Sequence, residues 1–122
     1  MKVNESSEDY LETILILSKI KPVVRAVDIA NELGYKKSSV SVAMKNLRAT
    51  EMITVSDEGY INLTEKGMLL AEKVYERHTV ISEWLISMGV EKEIALEDAC
   101  RVEHDLSEQS FEAIKKFISN NK

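Results

Sequence analysis

A single cysteine in 122 residues leaves no intrachain disulfide framework, so Cys100 can act only as a thiol or thiolate. One proline and four glycines give helices few places to stop, and 44% hydrophobic residues suit one compact helix-rich domain or two small intimate ones. No apolar run approaches the ~18 residues of a membrane span and no signal peptide is evident, so a soluble cytoplasmic protein without a membrane partner is expected. Internal repeats and low-complexity segments are lacking as well. Histidine is scarce: there are two, and one of them, His104, follows the cysteine by four residues.

A basic excess is also missing. The net charge of −5 argues, taken alone, against a nucleic-acid partner. Yet residues 19–51 carry seven Lys/Arg against three Asp/Glu, whereas residues 91–112 carry two against eight. The asymmetry points to a basic portion that binds and an acidic portion with another task.

Apolar spacing orders the elements. Ser6 or Ser7 can cap a first helix running to about Lys19, with Tyr10, Leu11, Ile14, Leu15 and Leu17 as its buried side. After Pro22, "RAVDIANELG" predicts a short helix with Val27, Ile29, Ala30 and Leu33 apolar and Gly34 as its stop. "KKSSVSVAMKNLRAT" predicts another, with Val40, Met44 and Leu47 packing inward. "MITVSDEGYINLT" alternates around Asp57–Gly59 and reads as a hairpin. Thr64 with Glu65 caps a long helix to about Met88, and helices near 91–105 and 108–119 complete the chain.

Helix, helix, short turn, helix and hairpin is the order of a winged helix-turn-helix, whose second turn helix enters the DNA major groove. Once Val40, Met44 and Leu47 fix the inward face, Ser38, Ser39, Ser41, Val42, Lys45 and Asn46 point outward. Hydroxyls serve phosphates or base edges, Val42 suits a thymine methyl, and Lys45 suits phosphate or guanine. Arg25, Lys36 and Lys37 add basic charge beside this face. The hairpin tip, with Asp57 and Glu58, is a poor phosphate binder.

The acidic portion raises a different chemistry. His78 shares a helical stripe with Ala71, Val74, Tyr75, Ile81 and Leu85, so it faces inward. Cys100, Glu103 and His104, at i, i+3 and i+4, fall within one helical arc, apart from Ala99, Val102 and Leu106. Asp9 and Glu12 form an acidic i, i+3 pair. Each has an ordinary reading: a core histidine, a capping-box partner for Ser6, a solvated glutamate. Together the six make a candidate divalent transition-metal site.

"EDYLETIL" at 8–15, "VRAVDIANELGYKKSSVSVAMKNL" at 24–47, "GYINLTEKG" at 59–67, "ERH" at 76–78 and "EDACRVEHDLS" at 97–107 resemble the diphtheria-toxin-repressor and manganese-transport-regulator family of metal-activated winged-helix repressors. The resemblance runs in order along nearly the whole chain. It implies a mainly α fold with a small β-hairpin: an N-terminal winged helix-turn-helix over 1–70, then a three-helix metal-binding and dimerisation domain over 71–122 without an SH3-like domain. By the same resemblance Asp9, Glu12, His78, Cys100, Glu103 and His104 match the family's regulatory metal positions. Asp9 and Glu12 look like the manganese-type branch, "ACRVEH" like the iron-type branch, and Cys100 stands where manganese-type members usually carry glutamate. Ser82 and Leu96 stand where iron-type members carry further ligands.

The implied function is a metal-dependent transcriptional regulator, a repressor rather than an enzyme. It is expected to bind palindromic operator DNA as a homodimer when Mn(II) or Fe(II) occupies the regulatory site, and so to control metal-ion homeostasis. Zn(II), Co(II) or Ni(II) would serve as substitutes in vitro. Two rival readings come from other classes. A metal-independent winged-helix regulator would sense an organic ligand through an apolar pocket. A cysteine hydrolase would use Cys100 and His104 as nucleophile and base, but no glycine-rich oxyanion loop or orienting Asn/Asp accompanies them.

Overall fold

The computed structural model describes residues 5–120, in which six helices and one two-stranded antiparallel sheet follow each other as α1 (Glu5–Ile20), α2 (Ala26–Leu33), α3 (Lys37–Ala49), β1 (Ile53–Val55), β2 (Ile61–Leu63), α4 (Glu65–Ser87), α5 (Lys92–Val102) and α6 (Glu108–Asn120). Two compact units divide the chain at 72/73, within α4.

In the first unit the apolar periodicity becomes a core. Tyr10, Leu11, Ile14, Leu15 and Leu17 of α1 are buried, as are Val40, Met44 and Leu47 of α3. Helix α1 already begins at Glu5, so Ser6 and Ser7 lie inside it rather than at its cap. On α2, Ile29 and Ala30 are buried, but Val27 is 38% exposed because a residue two positions before Ile29 points about 160° away from it. The entry to α2 is held by the Arg25 N–H, which donates to Asp28 Oδ2 at 2.9 Å, returning the side chain to the backbone as in a capping box. Its exit uses Gly34 at φ 70°, whose N–H donates to the Ala30 carbonyl at 2.9 Å. That left-handed residue turns the chain into α3.

The hairpin pairs Ile53 with Leu63, Thr54 with Asn62 and Val55 with Ile61. Ile61 N–H also donates to the Val24 carbonyl at 2.7 Å, so the segment before α2 lies along the ribbon. Thr64 caps α4, its Oγ1 accepting from Gly67 N–H at 3.1 Å while its hydroxyl donates to the Glu51 carbonyl at 2.6 Å. The first turn of α4 approaches the chain so closely that a Cβ on Gly67 would stand 1.9 Å from the Met52 carbonyl oxygen. Only glycine fits there.

The second unit packs the remainder of α4 with α5 and α6 around Ile81, Ala99 and Phe111, flanked by Val80, Leu85 and Leu106. Helix α5 ends at Val102, three residues short of the expected 105, and residues 103–105 form a turn. Ser107 then caps α6, its Oγ accepting from Ser110 N–H at 3.1 Å. Among the described residues no helix is long and apolar enough to cross a membrane.

Candidate metal centre and nucleic-acid interface

Helix α3 presents the outward set as the periodicity demands. Lys36, Lys37, Ser38, Ser39, Ser41, Val42, Lys45 and Asn46 are all exposed, Val42 to 61%. Lys36 stands at the N-cap, so two lysines adjoin the positive end of the helix dipole. Arg25 is exposed but committed: its Nη2 donates to the Tyr60 hydroxyl at 3.3 Å and its guanidinium lies 4.9 Å from the Tyr60 ring centre. It ties the start of α2 to the hairpin. At the hairpin tip, hydrogen bonds from its own N–H and from the Ser56 hydroxyl hold Glu58 below the usual carboxylate range, so the tip stays anionic.

The second unit builds its site around one carboxylate. Ala95, Ala99 and Glu103 follow one another at i, i+4 and i+8, and all three are buried, at 0%, 0% and 1% exposure. Small alanines draw α5 close to its neighbours, and Glu103 continues their line into the interior. The expected separation of Glu103 from the apolar arc is thus corrected: Glu103 is inside, while Val102 is 40% exposed. A carboxylate buried this deeply needs charged or hydrogen-bonding company.

Histidines supply it. Nδ1 of His78 lies 3.0 Å from Glu103 Oε2, and Nε2 of His104 lies 3.4 Å from Oε1. His78 comes from α4, whereas His104 sits in the turn after α5, its side chain 4% exposed. Cys100, one position past Ala99, is exposed, and its Sγ lies within 4.8 Å of a Glu103 carboxylate oxygen. Glu103 is the shared partner of all three, and imidazole nitrogen, carboxylate oxygen and sulfur are the donor types that suit a divalent transition ion. Asp9 is half-buried and Glu12 buried, one turn apart on α1 of the first unit, so Glu12 is not the solvated residue its ordinary reading required. Ser82 is buried and donates to the Thr79 carbonyl at 3.2 Å, a bond within its own helix.

One participant escaped the sequence reading. Arg77, next to His78 on α4, donates from Nη1 to the carbonyls of Glu103 and Leu106, each at 2.8 Å. The available signal was an arginine set between buried Val74 and Ile81 of the same helix.

Comparison with known proteins gives two family matches, one per portion of the chain. Residues 2–67 match the iron dependent repressor N-terminal DNA binding domain, and residues 64–122 match the iron dependent repressor metal binding and dimerisation domain. An uncharacterised helix-turn-helix transcriptional regulator of Methanocaldococcus jannaschii is 32% identical over 122 residues, covering 98% of both chains. The transcriptional regulator MntR of Escherichia coli is 34% identical over 117 residues, 96% of this chain and 76% of that one. Among solved structures, the manganese regulator SloR superposes with a TM-score of 0.83 at 28% identity, over 98% of this chain. This chain spans about half, 55%, of that protein's length.

Proposed function

The chain belongs to the iron-dependent repressor family, metal-dependent transcriptional regulators and not enzymes, and from that premise we propose that it binds palindromic operator DNA as a homodimer when Mn(II) or Fe(II) occupies its regulatory site. The observation that carries the reading is Glu103, a fully buried carboxylate with His78 Nδ1 at 3.0 Å, inside the portion that matches a metal-binding domain.

His78, Cys100, Glu103 and His104 are the proposed ligands of the second unit. Asp9 and Glu12 are proposed as further ligands on the strength of the sequence resemblance. A bound divalent ion supplies positive charge that offsets buried carboxylates. His78 Nδ1 hydrogen-bonds one Glu103 oxygen at 3.0 Å, and His104 Nε2 stands 3.4 Å from the other. For DNA, the α3 face offers Ser38, Ser39, Ser41, Val42, Lys45 and Asn46 to the major groove, with Lys36 and Lys37 for phosphate. Dimerisation is supported by apolar surface on the second unit: Met88 is 57%, Ile94 49%, Val102 40% and Phe117 62% exposed.

Linkage makes the proposal testable in both directions, because any factor by which metal tightens DNA binding is the factor by which DNA tightens metal binding. The test is selection of a binding site from random duplex DNA with Mn(II) present, then titration of that site with Mn(II), Fe(II) and Zn(II), with and without chelator. Operator binding that chelator leaves unchanged refutes metal dependence and favours a regulator of another ligand.

A further inference from the structure

We infer that Arg77 is a positioning residue for the metal centre, an inference that rests on the reading of His78 and Glu103 as ligands. Arg77 and His78 are consecutive on α4, and they grip Glu103 at its two ends. The arginine Nη1 donates to the Glu103 carbonyl at 2.8 Å, while the histidine Nδ1 lies 3.0 Å from the carboxylate Oε2. The same Nη1 donates to the Leu106 carbonyl at 2.8 Å. One nitrogen therefore bridges the first and last residues of the 103–106 segment, which carries both Glu103 and His104.

Helix α5 stops where this clamp begins. Carbonyls at a helix end lack an intrahelical donor, and Arg77 supplies one to Glu103, the residue that caps α5, and one to Leu106 beyond the turn. A guanidinium suits the task because it is planar, keeps its charge and directs several donors at once. This one is itself held in place: it lies 5.1 Å from the ring centre of Phe111, a core residue 1% exposed, and its Nη2 is 3.6 Å from Glu108 Oε2. The Arg77 side chain is 11% exposed, so water does little to loosen the arrangement. Both bonds of Nη1 go to main-chain oxygens. The arginine thus sets where Glu103 sits without drawing on the carboxylate lone pairs a metal uses.

Loss of groups that orient metal ligands costs about 10–100-fold in metal affinity. The experiment measures Co(II) binding to the full chain by equilibrium dialysis and by the visible ligand-field absorption. It compares wild type with Glu103→Gln, Arg77→Gln and Arg77→Lys, with melting temperatures recorded alongside. Arg77→Gln is expected to weaken Co(II) by about 10–100-fold and alter the band shape, and Arg77→Lys, which keeps the charge but not the fork, to fall between. A melting temperature that drops while Co(II) affinity stays within about twofold of wild type overturns the inference, for the arginine is then structural only. Where Arg77→Gln does not fold, Arg77→Lys decides by the same measurement with its own threshold: about fivefold weaker or more supports it, less overturns it. A Glu103→Gln variant that binds Co(II) with unchanged affinity and spectrum overturns the ligand reading instead.

Discussion

His78 Nδ1 and Glu103 Oε2 lie 3.0 Å apart although 25 residues separate them in sequence. The contact puts an imidazole from α4 against a carboxylate that ends the buried line of α5. Two residue types that seldom meet in a core for packing alone meet here inside a metal-binding domain.

Metal should therefore stabilise the native chain, and Glu103 should be the residue through which it does so. A ligand that binds only the folded state at about 100 times its dissociation constant adds about 2.7 kcal/mol, which raises the melting temperature by several degrees. Differential scanning calorimetry with saturating Mn(II) should show that rise for wild type and none for Glu103→Gln. An equal rise in both would remove Glu103 from the ligand set.

The residues divide clearly into those legible from the sequence and those that were not. Val40, Met44 and Leu47 could be assigned inward because helical spacing alone marks a core stripe, and the opposite serine-rich face followed from it. Gly34 and Thr64 announced a helix end and a helix start through local chemistry. The depth of Glu103 was not legible, since it depends on how closely Ala95 and Ala99 allow α5 to pack. Nor was the turn that follows Val102, because Arg77, which takes the carbonyls of Glu103 and Leu106 within it, lies 26 and 29 residues away in sequence. Local pattern shows which way a side chain points; tertiary partners decide where an element stops.

The α3 face leads to a prediction that separates affinity from specificity. Lys45→Ala should weaken binding to every duplex and reduce the slope of log K against log salt by about 1, as loss of one phosphate contact does. Val42, 61% exposed on the same face, should behave differently. Val42→Ala should change preference at one base position, by about 1 kcal/mol, with little effect on the salt slope. Electrophoretic mobility shifts on the selected operator and single-base variants, at three salt concentrations, distinguish the two. Parallel losses in both variants would place Val42 off the base edges.

Asp28 gives the first unit a pH dependence with a definite sign. The Arg25 N–H bonded to its carboxylate, helped by Lys21 at 3.2 Å, holds the group below its ordinary pKa against the opposing effect of burial. A carboxyl depressed on folding contributes stability that is present above its unfolded pKa of ~3.9 and lost as pH falls through the lower folded value. Asp28→Asn should cost about 0.5 kcal/mol near neutrality, since the charge at the start of α2 is removed while an acceptor remains. Urea midpoints of wild type and variant should converge as pH drops below ~3.9. A gap that stays constant into acid would assign the cost to shape rather than charge.

Cys100 sets the last prediction, because its chemistry distinguishes this chain from the manganese-type pattern. Its sulfur lies within 4.8 Å of a Glu103 carboxylate oxygen, close enough for both to serve one ion. Thiolate is a softer ligand than carboxylate, so Fe(II), Co(II) and Zn(II) gain over Mn(II) when it takes part. Affinity should follow the Irving–Williams order, yet activation need not. Zinc satisfied by four ligands in a tetrahedron has no need of every carboxylate that a six-coordinate ion recruits. Fe(II) is therefore expected to activate operator binding at least as well as Mn(II) in wild type. Cys100→Glu should shift the ratio of activating concentrations towards Mn(II), since a hard carboxylate replaces the soft sulfur. The titrations require anaerobic, reducing conditions, since a solvent-accessible thiolate otherwise oxidises to sulfenic acid and loses its role. A Cys100→Ala protein that responds to each metal as wild type does shows that sulfur is not a ligand, leaving His78, Glu103 and His104 to hold the ion on the second unit.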